Sequence, residues 1–137
     1  MKLMIDTNVI LDVLIKRQPF YEQSRRILEL CESNALQGFV TASSITDIFY
    51  LVRKSTHSTE TAYECLGALF DILKVLPVTN DNVISAYSIR AHDFEDCLLA
   101  VCAKSNGCAY IVTRNQTDFK GFDIPAVSPD EIDHLFL

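Results

Sequence analysis

Glycine is scarce in this chain, with four among 137 residues. That is too few for a dinucleotide fingerprint, and no P-loop is present, so nucleotide sites of those two kinds are not expected. No apolar run approaches the roughly 20 residues needed to cross a bilayer, so no membrane association is expected. The amino-terminal MKLMIDTNVILDVLIK has some character of a secretory signal, but Asp6 and Asp12 interrupt it and no small-residue cleavage site follows. A cytoplasmic protein is the expectation. The five cysteines, Cys31, Cys65, Cys97, Cys102 and Cys108, are odd in number and include no CxxC pair. They read as reduced core thiols rather than as a disulfide framework or a zinc site.

Positive charge is also short: 12 Lys and Arg stand against 18 Asp and Glu, a net charge of −6. Proteins that live on phosphate contacts are usually basic, so diffuse attraction to nucleic acid is not expected. An enzyme that gathers carboxylates around a divalent ion stays open, because the ion inverts the local charge that a phosphate meets. His57, His92 and His134 have neither metal-ligand spacing nor triad partners.

Hydrophobic residues make up 49% of the sequence, enough to bury the core of one domain spanning residues 1–137. The chain is organised around the stretch from His92 to Phe119. Asp93 and Asp96 open a helix, Leu98, Leu99, Val101 and Cys102 give it an apolar stripe, and Gly107 ends it. Ala109–Val112 is a bare apolar run, the pattern of a strand buried on both faces of a parallel sheet. Thr113, Arg114, Asn115, Thr117 and Asp118 follow at once, where open α/β sheets bind their ligands.

Elsewhere the same alternation recurs. Lys2–Ile5 reads as a strand ending in Asp6, followed by a helix through Val9, Ile10, Val13 and Leu14. A second helix runs from about Tyr21 to Ser33. Phe39 and Val40 mark the next strand, with Ser43 and Ser44 as caps for a helix near Ile45–Lys54 that carries Asp47 in its first turn. A helix striped by Ala62, Leu66 and Leu69 precedes a third strand, Lys74–Val78, which tolerates Pro77 at its end. Pro125–Val127 reads as an edge strand, and Ser128 and Pro129 as a helix start. Strands alternating with helices imply an α/β sandwich around a mostly parallel sheet.

Each carboxylate alone has an ordinary role. Asp6 can cap a helix, Ser44 with Asp47 and Asp93 with Asp96 can be capping pairs, and Asp118 can make an Asx-turn. Their joint placement says more, because strand ends and the helix starts after them meet at one sheet edge. Asp6, Asp47, Asp96 and Asp118 then converge from four segments. Carboxylates so placed repel one another unless a cation compensates. Magnesium suits such oxygen donors, and metal-activated water with metal-held phosphate oxygens is the chemistry of phosphodiester hydrolysis. Arg114 stands beside this site as a candidate phosphate ligand, with solvation as its ordinary reading. Lys16, Arg17, Arg25, Arg26, Arg53 and Lys54 are candidates for a substrate groove, with the same alternative.

MIDTNVILDVL, TASSITDIFYLVRK and DFEDCLLAVCAKSNGCAYIVTRNQTDF, in that order, resemble the PIN-domain nucleases, and in particular bacterial toxins of the VapC kind. The resemblance implies a three-layer α/β/α sandwich with a central five-stranded parallel sheet and a magnesium- or manganese-dependent endoribonuclease site acting on RNA. Asp6 matches the family's first acidic position, Asp47 the second and Asp96 the third. The second position is more often Glu, so the shorter Asp47 is expected to reach a metal through water. The fourth position commonly follows the Thr-Arg pair, where this chain has Asn115; Asp118 is the alternative. Asp6, Asp96 and Asp118 are thus the expected metal ligands, and Thr113, Arg114 and Asn115 the expected substrate contacts. Asp93, a turn before Asp96, is a supporting candidate. The resemblance further implies a small antitoxin partner and a homodimer. Two rivals stay open: a non-catalytic PIN-like module that binds RNA or protein, and a processing or repair nuclease without an antitoxin.

Overall fold

A computed structural model describes residues 1–136. Strand β1 (Lys2–Ile5) leads into α1 (Thr7–Leu14) and α2 (Tyr21–Glu32); β2 (Gln37–Thr41) leads into α3 (Ala42–Thr56) and α4 (Thr59–Ile72). Then come β3 (Lys74–Leu76), α5 (Asn80–Ile89), α6 (Phe94–Ser105), β4 (Tyr110–Val112), β5 (Ala126–Val127) and α7 (Ile132–Phe136), with short 3-10 turns at Gln116–Phe119 and Pro129–Glu131. The five strands are all parallel, in the order β3-β2-β1-β4-β5.

Alternation along the strands divides the core into two. Leu3 and Ile5 of β1, Val40 of β2 and Val112 of β4 pack with α1 to α4 on one face. Met4, Phe39 and Ile111, their neighbours in sequence, pack with α6 on the other. Central strands buried on both faces need apolar residues at every position, which is why β1 and β4 read as bare apolar runs. The result is the expected three-layer α/β/α arrangement.

Chain order places the site. From β1 the sheet grows one way through β2 and β3, and the other way through β4 and β5. Between β1 and β4 the connections leave in opposite directions, opening a crevice beyond the strands' carboxyl ends. Asp6 follows β1 and Thr113 follows β4, and the Asp6 backbone N–H donates to the Val112 carbonyl at 2.9 Å.

Several boundaries differ from the sequence expectation. Helix α3 begins at Ala42 rather than near Ile45, directly after β2, so Ser43 and Ser44 lie in its first turn and make no cap. Thr41 takes the cap position, and its hydroxyl is hydrogen-bonded to those of Ser44 (2.7 Å) and Ser43 (3.2 Å). Strand β3 stops at Leu76, because Pro77 has no N–H to continue the ladder. The start at Pro129 is a 3-10 turn that passes into α7.

Candidate active site

Asp6 is fixed from both sides. As N-cap of α1 its Oδ1 accepts the Thr7 N–H at 2.8 Å, and its Oδ2 accepts the Thr113 hydroxyl at 2.8 Å. Burial pushes its carboxyl above the ordinary range, those two hydrogen bonds pull it back, and the Asp118 charge pushes it up again. Thr113 is itself fully buried and accepts from Asn115 N–H at 3.0 Å and Asn8 Nδ2 at 3.4 Å.

Asp96 comes from the first turn of α6. Asp93 caps that helix, accepting the Asp96 N–H at 2.9 Å, and so sets where the Asp96 side chain leaves the backbone. Partial burial, then the charges of Asp93, Asp6, Asp118 and Glu95, push the Asp96 carboxyl up to about 6. Glu95 is also raised, first by partial burial and then by Asp47, Asp93 and Asp6. Asp6, Asp93, Glu95, Asp96 and Asp118 therefore share one electrostatic neighbourhood.

Two cavities meet at Asp96. One, of about 270 Å³, is lined by Asp6, Thr7, Ser43, Ser44, Phe94, Glu95 and Asp96. The other, of about 470 Å³, is lined by His92, Asp93, Asp96, Asp118, Lys120 and Phe122. Asp118 lies exposed in the 3-10 turn after β4. Asp47, exposed on α3, lines neither cavity; its charge reaches Glu95. Asn115 is exposed beside Thr113. Arg114 directs two of its five N–H donors to Asp12, Nε at 2.7 Å and Nη2 at 3.1 Å, which turns the guanidinium toward α1.

Reasoning from sequence missed Glu95, Asn8 and Asp12. Asp12 carried a signal: it is a lone carboxylate within the apolar pattern of α1, and it is fully buried. Asn8 bridges the two strand ends, donating to Thr113 and accepting from the Arg114 N–H at 3.4 Å. Glu95 gave no signal of its own beyond adjacency to Asp96.

The donors around the cavities are carboxylate and hydroxyl oxygens, the set that suits a hard divalent cation. Among the described residues no group of three or more His, Cys, Asp or Glu side chains is placed to hold a metal ion between them. Magnesium does not require such a group, since it commonly takes one or two carboxylates and keeps several waters. Burial lifts Asp96 most, and the repulsion that adds to it is what such an ion relieves.

The chain is similar to known proteins over nearly its whole length. Ribonuclease VapC1 of Aquifex aeolicus is 25% identical over 135 residues, covering 95% of this chain and 92% of that protein. VapBC2 from Rickettsia felis, solved bound to a DNA fragment from its promoter, superposes with a TM-score of 0.73 at 20% identity, over 93% of this chain and 98% of that one. VapC20 of Mycobacterium tuberculosis, a toxin that cleaves the sarcin-ricin loop, gives 0.68 at 14% identity, over 88% and 95%. The two structures share this fold. The family model described as PIN domain matches residues 2–117, spanning β1 to the turn after β4 and every acidic residue discussed above except Asp118, and the chain belongs to the PIN domain family.

Proposed function

We propose that this protein is a magnesium- or manganese-dependent endoribonuclease that hydrolyses RNA phosphodiester bonds, and that it is the toxin of a toxin–antitoxin pair. The observation that supports the reading is Asp96, which lines two cavities of a PIN-family chain, one with Asp6 and the other with Asp118. The relative in Aquifex aeolicus bears the name of a ribonuclease, and the structural neighbours include VapBC complexes. A small antitoxin, a homodimer and a cytoplasmic setting are part of the same proposal.

Asp6 and Asp96 would hold the ion, with Asp118 supporting it and Asp47 acting through water. When bound, the ion supplies an activated water and a clamp on the phosphate oxygens. Thr113 keeps the Asp6 carboxylate aimed by donating to Oδ2, and Thr7 N–H fixes the other oxygen. Asn115 presents an exposed amide to substrate beside Thr113, while Arg114 acts mainly by holding the loop through Asp12. Ser43 and Ser44 add hydroxyls to the lining of the smaller cavity.

The test is cleavage of a structured-RNA pool by wild type, Asp6→Asn and Asp96→Asn, each with magnesium, manganese or EDTA. Wild type should cut only with a divalent ion, and each variant should lose at least about a hundredfold while keeping its circular dichroism spectrum. Full activity in both variants would end the assignment.

A further inference from the structure

The structure sorts the six basic residues Lys16, Arg17, Arg25, Arg26, Arg53 and Lys54. Arg25 bonds Glu29 at 2.7 Å and approaches Glu22 at 3.7 Å, and Arg26 faces Asp133 at 3.5 Å. Those two are balanced on the surface. The other four gather where α1 and α3 end together, Lys16 and Arg17 just beyond α1, Arg53 and Lys54 in the last turn of α3. Among the described residues Lys16, Arg53 and Lys54 make no ion pair. Arg17 reaches only Asp12, at 3.9 Å, and that carboxylate is already held by Arg114. Two of the four, Arg17 and Lys54, line a cavity of about 480 Å³ together with Ile15, Leu51, Ser55 and His57, and no carboxylate lines it.

Compensation of helix ends does not account for this cluster. Each helix C-terminus carries about half a negative charge, so two ends balance roughly one cation of the four. A surplus of positive charge around a carboxylate-free cavity is notable in a chain of net charge −6.

The same two helices line the acidic cavity at their other ends, through Thr7 of α1 and Ser43 and Ser44 of α3. Helix α3 has 15 residues, so its two ends are roughly 22 Å apart at about 1.5 Å per residue. Ser43, Asp47, Tyr50 and Lys54 follow one another at helical spacing and share a strip. Tyr50 is 51% exposed on that strip, and the Arg53 guanidinium lies 5.9 Å from its ring centroid. An exposed ring interleaved with cations is the composition that single-stranded nucleic acids use, the ring for stacking and the cations for phosphates.

We propose that the cationic cavity at the joined ends of α1 and α3 is a second, non-catalytic site for the phosphate backbone of single-stranded RNA, which lays the strand along α3 toward the acidic cavity. This rests on the nuclease reading above. At the ~3.4 Å rise of a stacked strand, the two sites are spanned by about six nucleotides. Asp47 repels either polyanion, but an acidic polypeptide has no bases to stack on the exposed Tyr50 ring, which single-stranded RNA has. A phosphodiester is also what the acidic cavity is read to hold.

The test uses Lys54→Glu, with Lys54→Arg as the conservative control. Binding of a fluorescent 20-nucleotide oligouridylate is followed by anisotropy across a salt series in EDTA, and cleavage of 20- and 5-nucleotide substrates is measured with manganese. Lys54→Glu should weaken 20-mer binding about tenfold at low salt and flatten its salt dependence. It should raise KM for the 20-mer without changing kcat, and leave cleavage of the 5-mer, too short to bridge the sites, unchanged. Lys54→Arg should behave as wild type. Equal 20-mer affinity and salt slope in wild type and Lys54→Glu overturn the site even if both proteins cut RNA. Tighter Lys54-dependent binding of polyglutamate than of RNA overturns it in favour of an acidic protein partner. A wild type that cuts nothing but binds the 20-mer through Lys54 sinks the nuclease reading and leaves the site standing.

Discussion

Arg114 grips the fully buried carboxylate of Asp12 with two donors, Nε to Oδ2 at 2.7 Å and Nη2 to Oδ1 at 3.1 Å. Ser24 of α2 donates a third hydrogen bond at 3.0 Å, and the guanidinium rests 3.9 Å from the centroid of the Phe20 ring. One carboxylate thus ties α1, α2 and the loop between them to the residue that follows Thr113. Removing Arg114 leaves a buried anion with Ser24 as its close donor. Arg114→Ala should therefore cost about 3–5 kcal/mol of stability in urea denaturation. Arg114→Lys should recover only part of that, since an ammonium lacks the planar fork. A loss below about 1 kcal/mol for the alanine variant would mean that water reaches Asp12 and that the clamp holds little.

Thr113→Val keeps the side-chain shape and deletes a buried hydroxyl. The Asp6 carboxylate then loses the strongest influence that lowers it, and Asn115 N–H loses its acceptor. A stability loss of about 1–2 kcal/mol is expected. If Asp6 holds the ion, manganese affinity should fall about 10–100-fold by calorimetry, the usual effect of removing a group that orients a metal ligand. Thr113→Ser should remain close to wild type. Wild-type manganese affinity in Thr113→Val would show that Asp6 needs no such orientation.

What the sequence made legible was whatever depends on neighbours in the chain. Strands β1 and β4 were readable because both faces of each are buried, and the start of α6 because Asp93 caps it locally. The convergence of Asp6 with Asp96 followed from chain order in a parallel sheet. The Arg114–Asp12 pair was not readable, since its partners are 102 residues apart and eleven other Lys and Arg residues had equal claim by composition. The start of α3 was misplaced because β2 runs into it without a loop, so the strand's last residue, Thr41, holds the cap position that Ser43 and Ser44 advertise. Glu95 was hidden by its neighbour: adjacent helix positions point about 100° apart, and only packing decides which of them faces a cavity.

Gly38 tests how tightly β2 is seated. A Cβ there would lie 2.4 Å from Leu73 Cδ2 and 2.6 Å from Cys31 Sγ, both in nearly closed surroundings. Both contacts are with side-chain ends, and a cavity borders Cys31 and Gly38, so the neighbours must shift and Gly38→Ala should cost about 1 kcal/mol. Adding Cys31→Ala, which vacates one of the two contacts, should return part of it. Thermal denaturation of the single and double variants decides the point; a neutral Gly38→Ala would mean that β2 shifts freely against α2.

The acidic neighbourhood carries a pH signature. Asp96 is pushed up to about 6, and Asp6 and Glu95 are raised in the same direction. A carboxyl raised on folding binds protons more tightly in the native state, so the native state is penalised above the raised value and the penalty fades as pH falls toward the ordinary value near 4. The metal-free protein should therefore melt at a higher temperature at pH 5 than at pH 7, the reverse of an acid-labile salt bridge. Asp96→Asn removes the largest part of the repulsion and should raise the melting temperature at pH 7 while flattening the profile. Manganese at pH 7 should stabilise wild type and do little for that variant, because binding to the native state alone shifts the equilibrium by mass action. Identical pH profiles for wild type and Asp96→Asn would show the carboxyls to be independently solvated, and the case for a shared cation would go with them.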